Sequence, residues 1–108
     1  MKLQILAAII GLLPALVVSC AGYTNCLCQK NDGSYFDDAA TAHACGNDHI
    51  KGDVEKFSDG RSYCTMLELP VAGVDDGGVA IFPIDNCKFA DICYDWNHDY
   101  SSNCWDKY

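Results

Sequence analysis

The spacing of hydrophobic positions changes along the chain, and the first clear pattern is a two-residue alternation from Tyr23 to Gln29. This alternation places Cys26 and Cys28 on one face of an extended segment and Leu27 on the other. We therefore predict a first strand here, from which two disulfide bridges leave the same face.

A helix is predicted to follow this strand. Residues 31–33 (Asn-Asp-Gly) have the chemistry of a tight turn. Ser34 is then expected to cap the helix, and the acidic pair 37–38 lies in the first turn, where negative charge favours the helix dipole. The helix is expected to run to about Cys45, before Gly46. Its predicted inner face consists of Phe36, Ala40 and either His43 or Ala44.

Turn-forming residues divide the next part of the chain into a loop and two strands. Residues 47–60 are polar and interrupted by glycine, which predicts a loop with one helical turn at most. Residues 61–69 are rich in β-forming side chains and end before a proline, as expected of a strand. After a turn at 75–78, residues 79–84 predict another strand, which Pro83 would push toward an edge or a bulge.

A second helix is predicted after Asp85 or Asn86, either of which can cap it. Its apolar residues recur at i, i+3, i+4 and i+7 and so share one stripe, formed by Phe89, Ile92, Cys93 and Trp96. Residues 100–108 then predict a last strand. The whole pattern predicts an α+β fold, a small disulfide-rich antiparallel sheet with two helices in the order β-α-β-β-α-β.

The amino-terminal segment has the pattern of a secretory signal peptide. Lys2 precedes an almost unbroken apolar run over residues 3–18, and small residues follow. The run is shorter than the roughly 20 residues that span a bilayer, and no second apolar stretch follows, so we expect no membrane anchor. The mature protein is therefore expected to be secreted.

Cysteine parity constrains where the signal peptide is cut. Cleavage after Ser19 or Ala15 keeps Cys20, whereas cleavage after Ala21 leaves an odd number of cysteines and an unpaired thiol. We therefore expect a signal peptide at 1–19 and a single domain at 20–108. A bacterial lipobox ending at Cys20 is the competing interpretation, which the odd number of remaining cysteines disfavours.

Disulfide bridges are expected to hold this domain together. Cysteines are about 9% of residues 20–108, a density typical of disulfide scaffolds. Four bridges at about 2–4 kcal/mol each would supply as much free energy as the whole net stability of an ordinary domain. The pairing stays open, because eight cysteines allow about 105 combinations. The cysteines are Cys20, Cys26, Cys28, Cys45, Cys64, Cys87, Cys93 and Cys104.

The charge of the chain narrows the classes of partner. The formal net charge is −8, and loss of Lys2 with the signal peptide makes it −9. Phosphate backbones and anionic membranes are repelled by such a protein. We therefore expect no nucleic-acid partner, and a monomer with an acidic, solubilising surface.

The spacing of potential metal ligands and catalytic groups disfavours three candidate chemistries. Zinc is unexpected in a secreted chain where disulfides account for every cysteine. His98-Asp99 matches the pair of secreted phospholipases only in part, because Cys93 lies too far before His98 and no good calcium loop precedes it. Residues 95–106 have the ligand spacing of a calcium loop, but Tyr100 occupies the glycine position. We therefore predict no metal, cofactor or catalytic residue.

Aromatic residues are concentrated near the carboxyl end. Such rings can form core, a stacking platform for a sugar ring, or a hot spot for a protein partner. We expect Trp96 to be core. The candidate binding residues, expected to be exposed, are Tyr100, Trp105 and Tyr108.

A set of side chains at and around the cysteines forms a recognisable arrangement: Tyr23, Cys26, Cys28, Asp32, Gly33, Asp38, Thr41, Cys45, Tyr63, Cys64, Cys104 and Trp105. This arrangement resembles small secreted cysteine-rich proteins of filamentous fungi, many of which are candidate effectors. Some proteins of this pattern resemble the viral killer toxins of smut fungi in fold, with helices on one face of an antiparallel sheet. A single cysteine at position 45, where some relatives have a pair, and the presence of Cys20 depart from the pattern.

The resemblance implies a binding protein, not an enzyme, that acts outside the cell as a fungal effector or virulence-associated protein. Its expected partner is a host or competitor protein or a cell-wall glycan. Two alternatives stay open: a killer-toxin-like or antimicrobial protein, and a small secreted hydrolase that uses His98 and Asp99.

Overall fold

The computed structural model describes residues 20–70 and 78–108. The predicted signal peptide and most of the predicted turn at 75–78 lie outside these residues. The α+β class with two helices is confirmed, and more strands are present than the six-element order predicted. The elements are β1 (Gly22–Lys30), α1 (Asp38–Cys45), β2 (Asp53–Lys56), β3 (Ser62–Thr65), β4 (Leu67–Pro70), β5 (Val79–Phe82), β6 (Ile84–Asp85), α2 (Asn86–Trp96) and β7 (Tyr100–Lys107).

Strand β1 is the centre of the larger sheet. It pairs antiparallel with β3, β6 and β7, and β2 extends the sheet beyond β3. Cys26 lies opposite both Cys64 of β3 and Cys104 of β7, so these two strands flank β1 on opposite sides. Since side chains directly opposite one another share a face, the three cysteines define one face of the sheet.

Both helices pack on the face that carries these cysteines. The Cys45–Cys64 bridge joins α1 to β3, and the Cys28–Cys93 bridge joins α2 to β1. The buried cluster between helices and sheet includes Ala40, Ala44, Ile84, Phe89 and Ile92. We call this side of the sheet the covered face and the other side the open face.

Four disulfide bridges account for every cysteine in the described part of the chain. They link Cys20 to Cys87, Cys26 to Cys104, Cys28 to Cys93, and Cys45 to Cys64. The prediction that two bridges leave one face of β1 is therefore confirmed. The bridge of Cys20 makes this residue part of the covalent framework of the domain.

Helix α1 begins later than predicted. Asp37, not Ser34, is the N-cap, and its carboxylate accepts a hydrogen bond of 3.0 Å from the Ala40 amide. His43 is exposed while Ala44 is buried, which decides between the two inner-face alternatives. Buried Thr41 adds a contact that the apolar pattern does not show, because its hydroxyl accepts a 3.0 Å hydrogen bond from the Cys28 amide.

Helix α2 agrees with its predicted cap but not with all of its predicted stripe. Asp85 caps it by accepting hydrogen bonds from the amides of residues 87 and 88. Phe89, Ile92 and Cys93 are buried, as predicted. The prediction of a core Trp96 is wrong: this side chain is 47% exposed, because it is the last residue of the helix and contacts the ring of His43 at the surface.

The predicted loop at 47–60 contains a strand, which corrects that prediction. The residues of β2 are all exposed and lie at the edge of the sheet, so no apolar alternation marks them. Just before β2, Gly52 passes over the Cys45–Cys64 bridge. A methyl group there would collide with the Cys64 sulfur and lie 2.9 Å from the Thr65 carbonyl oxygen.

Each of the two predicted strands that follow is split in two. Between β3 and β4, the Met66 amide donates a 2.7 Å hydrogen bond to the Thr24 carbonyl oxygen. Pro83 separates β5 from β6, which belong to different sheets, so the predicted strand is broken at this proline. As a result, β4 and β5 leave the main sheet and pair with each other as a two-stranded ribbon.

Candidate functional site

The open face of the sheet presents the residues that alternate with the core-facing ones. Because Cys26 and Cys28 face the helices, Asn25 and Leu27 face the other way. Asn25 lies opposite Trp105, and Leu27 lies opposite Asn103. Both helices are bridged to the covered face, so this row faces away from them.

Three aromatic side chains pack together on this face, and we call them the aromatic cluster: Phe57, Tyr63 and Trp105. The ring centroids of Phe57 and Tyr63 are 4.6 Å apart. Trp105 stacks on Phe57 at 5.8 Å with an interplanar angle of 24° and meets Tyr63 at 5.6 Å. Mutual packing of the rings restricts their rotation, so the surface that they form is largely preformed.

Arg61 extends from a turn beside the cluster. The turn is closed by a 2.8 Å hydrogen bond from the Phe57 amide to the Arg61 carbonyl oxygen. The guanidinium carbon lies 4.3 Å from the centre of the Phe36 ring, a cation–π distance. Its Nε donates to Asp59 at 2.8 Å, and the Arg61 backbone amide, which also bonds this carboxylate, lowers the pKa of Asp59.

Phe57 and Trp105 of the aromatic cluster, together with Phe36 and Arg61, line a groove of about 340 Å³. Leu27, only 1% exposed, lies at its base. The groove is lined by Leu27, Phe36, Phe57, Arg61, Asn103 and Trp105. A second hollow of about 440 Å³ shares Phe36 and Arg61 with the groove and continues toward the start of α1.

Amide and carboxylate groups border the groove along β1 and β7. Asn103 donates a 3.2 Å hydrogen bond to the side chain of Gln29. Asn25 donates a 3.3 Å hydrogen bond to the carboxylate of Asp106. The backbone of Asp106 is left-handed, with φ of 58°, a strained conformation of the kind found at functional sites.

The structure separates the three predicted binding residues. Trp105 lines the groove. Tyr108 is 62% exposed at the end of the described chain and does not line the groove, so its binding role stays a prediction. The expectation that Tyr100 is exposed is wrong, because this residue is only 7% exposed.

The burial of Tyr100 follows from strand geometry. Tyr100 is four residues from Cys104 and therefore lies on the covered face of β7. Its hydroxyl donates a 2.7 Å hydrogen bond to Asp37, the cap of α1. This hydrogen bond, with burial and the nearby negative charge, raises the pKa of Tyr100 to about 12.

Sequence reasoning missed most residues of the groove and of the aromatic cluster. Tyr63 could have been found, because a core-facing Cys64 places its neighbour on the opposite face. Phe36, Phe57 and Arg61 come from connecting segments whose position depends on how the chain folds around the sheet. The prediction that Phe36 lies on the inner face of the first helix is wrong, because Phe36 precedes α1 and lines the groove.

The structure also shows where the His98-Asp99 pair and the potential metal ligands lie. His98 lies in the exposed turn after α2, where its ring stacks on Tyr94 at 4.5 Å. No hydrogen bond joins the side chains of His98 and Asp99 among the described contacts. Among residues 20–70 and 78–108, the one cluster of potential metal ligands is Cys20, Asp85 and Cys87, and its two sulfurs are joined in a disulfide.

The chain is a small disulfide-rich α+β protein of the extracellular type, since four bridges in so short a domain are typical of an oxidising environment. Within the described ranges, neither helix has the length and apolar character needed to cross a membrane. Comparison with protein-family models, with curated proteins and with solved structures gave no match.

Proposed function

We propose that the chain is a secreted binding protein and that the groove on the open face is its recognition site. The observation that carries this proposal is the aromatic cluster beside Arg61, because packed rings flanked by polar groups are the usual composition of a binding hot spot. Signal-peptide cleavage before Cys20 would deliver the domain with all four bridges to the extracellular space.

Binding is favoured over catalysis by the lining of the groove. Its six residues offer two aromatic rings of Phe, one indole, one Leu, one amide and one guanidinium. An acid–base or nucleophilic mechanism uses a carboxylate, imidazole, thiol or activated hydroxyl, and none of these lines the groove in the described part of the chain.

For the biological role of this binding we propose a fungal effector or virulence-associated protein. The cysteine framework from Tyr23 to Trp105, which resembles that of small secreted fungal proteins, supports this proposal. Growth of the producing organism on its host, with and without the gene, is the measurement that checks it. Equal colonisation by both strains would contradict it.

The binding site itself is tested with labelled protein on intact host cells and on isolated cell walls. Wild-type protein is expected to be retained by one of these surfaces, and a Trp105→Ala variant is expected to lose retention. Trp96→Ala is the control, since Trp96 is the other tryptophan of the chain and lies exposed on α2, beside His43. Retention that is equal for wild type and Trp105→Ala would show that the groove is not the recognition site.

A further inference from the structure

We propose that the groove binds a neutral glycan through pyranose rings whose substituents are equatorial, the chemistry shared by β-linked glucose and β-linked N-acetylglucosamine. The proposal rests on the proposed function, because it names the ligand of the same site. It follows from the shape of the groove, its polar border and its charge.

The walls of the groove match the faces of such a sugar ring. A pyranose with equatorial substituents presents a flat patch of C–H bonds, which packs on an aromatic ring and is attracted by its negative face. Phe36, Phe57 and Trp105 supply three such rings around the buried side chain of Leu27. A groove of about 340 Å³ has room for one sugar ring, and the adjoining hollow next to Phe36 and Arg61 can take the next one.

The polar border supplies hydrogen bonds for the hydroxyl groups at the rim of the sugar. Asn103 lines the groove directly, and its amide is oriented by the hydrogen bond to Gln29. Arg61 offers the terminal nitrogens of its guanidinium, because the one described carboxylate that pairs with this side chain, Asp59, is bound at Nε. A few oriented polar groups in an aromatic groove give a ligand its orientation.

The charge of the protein favours a neutral ligand over an acidic one. The chain carries a formal net charge of −8, and the hollow next to the groove is bordered by Asp37 and Asp38. A polyuronic acid would be repelled by these carboxylates. Arg61 does not reverse this field, because Asp59 neutralises it.

A glycan also fits the groove better than a segment of a protein partner. Stable protein interfaces bury about 800 Å² on each partner around a contiguous apolar centre. Here four of the six lining residues are apolar, and hydrogen-bonded amides and a carboxylate lie beside them on β1 and β7. The groove is therefore of the size and composition of a site for a small amphipathic ligand.

The two tryptophans of the chain allow a direct test. A Trp96→Phe variant keeps Trp105 as its one tryptophan, inside the groove, whereas a Trp105→Phe variant keeps Trp96 on α2. Both variants are titrated with cellohexaose, laminarihexaose and N-acetylchitohexaose, and with hexagalacturonic acid as the acidic comparator. We expect a change in emission for Trp96→Phe with at least one neutral hexasaccharide, and none for Trp105→Phe or for the acidic comparator.

Calorimetry with the same hexasaccharides then measures the affinity of variants in the wild-type background. Trp105→Ala is expected to weaken binding roughly tenfold or more, and Asn103→Ala to weaken it several-fold. Intact mass showing four bridges and an unchanged circular dichroism spectrum establish that each variant is folded. Phe57→Leu serves as the second groove variant if Trp105→Ala does not fold.

Two results would overturn the proposal. If no neutral hexasaccharide binds, the ligand is not a neutral glycan of this kind, and retention on host cells that still depends on Trp105 would then leave the proposed function standing with a protein partner. If a hexasaccharide binds folded Trp105→Ala and wild type equally, the glycan site lies elsewhere on the protein.

Discussion

The two faces of the central sheet are built from the same strands but differ in their side chains and in whether helices cover them. The covered face carries Cys26, Cys28, Cys64 and Cys104, all bridged, under two helices. The open face carries the aromatic cluster, with Arg61 and amide side chains around a groove. Alternation along β1, β3 and β7 assigns neighbouring residues to opposite faces.

This difference indicates that one face of the sheet stabilises this small domain and that the other face is available for binding. Stability comes from the covered face, where bridges compensate for a limited apolar core. Residues of the open face are then less constrained by folding and can be selected for recognition. Substitutions on the two faces are therefore expected to have separate effects, on unfolding in one case and on binding in the other.

The largest loss of stability is expected from a Cys28→Ala, Cys93→Ala double variant, which removes the bridge between β1 and α2. The neighbouring bridges at Cys26 and Cys20 shorten the loop that this bridge closes, so we expect a cost of about 3 kcal/mol in the free energy of unfolding. Urea unfolding without reductant measures it. An unchanged urea midpoint would contradict the proposed role of the covered face in stability.

Gly52→Ala is expected to be the next most damaging change, at about 1–3 kcal/mol. Its methyl group would collide with the Cys64 sulfur and approach the Thr65 carbonyl oxygen, so the backbone over the Cys45–Cys64 bridge must move. Gly46→Ala is the matched control, since the nearest atom to its methyl group would be 3.6 Å away. Equal thermal midpoints for the two variants would contradict the close packing of Gly52.

Thr41→Val is expected to cost about 1–3 kcal/mol, because it leaves the buried Cys28 amide without the hydroxyl that accepts its hydrogen bond. Thr41→Ser keeps this hydroxyl and loses one methyl group, about 0.8 kcal/mol. Urea unfolding of both variants separates the hydrogen bond from the packing. A serine variant less stable than the valine variant would show that packing dominates.

On the open face, Trp105→Phe is expected to change the free energy of unfolding by less than about 1 kcal/mol, since the side chain is only half-buried. The same change is expected to weaken binding at the groove. Parallel measurement of urea unfolding and hexasaccharide binding sharpens the comparison of the two faces. A loss of stability as large as that of the bridge variant would show that the faces are not independent.

The smallest effect concerns pH. The pKa of Tyr100 is raised from 10.0 to about 12 in the folded protein, mainly by its hydrogen bond to Asp37. This hydrogen bond therefore stabilises the fold fully below pH 10, and its contribution is lost as the pH rises through about 12. Tyr100→Phe is expected to lose less stability than wild type between these pH values. Urea unfolding of both proteins at several pH values measures this, and equal losses of unfolding free energy between pH 10 and about 12 would contradict the prediction.

Local sequence was sufficient to predict two helices and the first strand. The Asp85 cap of α2, most of its 3.6-residue stripe and the alternation around Cys26 and Cys28 act within a few residues, so they are readable without the fold. The start of α1 was placed too early, because Asp37 caps this helix in place of Ser34. Strand β2 was not readable, because an exposed edge strand has no buried face and hence no alternation.

The groove was mostly unreadable for a different reason. Trp105 was identified, but Phe36 and Phe57 reach the site from connecting segments, and their approach depends on contacts distant in sequence. Tyr100 was expected to be exposed, but it lies an even number of residues from Cys104 and therefore shares the covered face with it, where it is buried. Trp96 shows the limit of periodicity, since the end of a helix can leave an apolar stripe in solvent.

The connectivity of the bridges also determines the order in which they can form as the chain is synthesised. Three of them span 65, 67 and 78 residues and join residues 20–28 to the last third of the sequence, whereas Cys45–Cys64 spans 19. The short bridge is the one native pair that can close early. Native bridges of Cys20, Cys26 and Cys28 can form only after Cys87, Cys104 and Cys93, respectively, have been synthesised, so these three bridges complete the framework after Cys45 and Cys64 are both available.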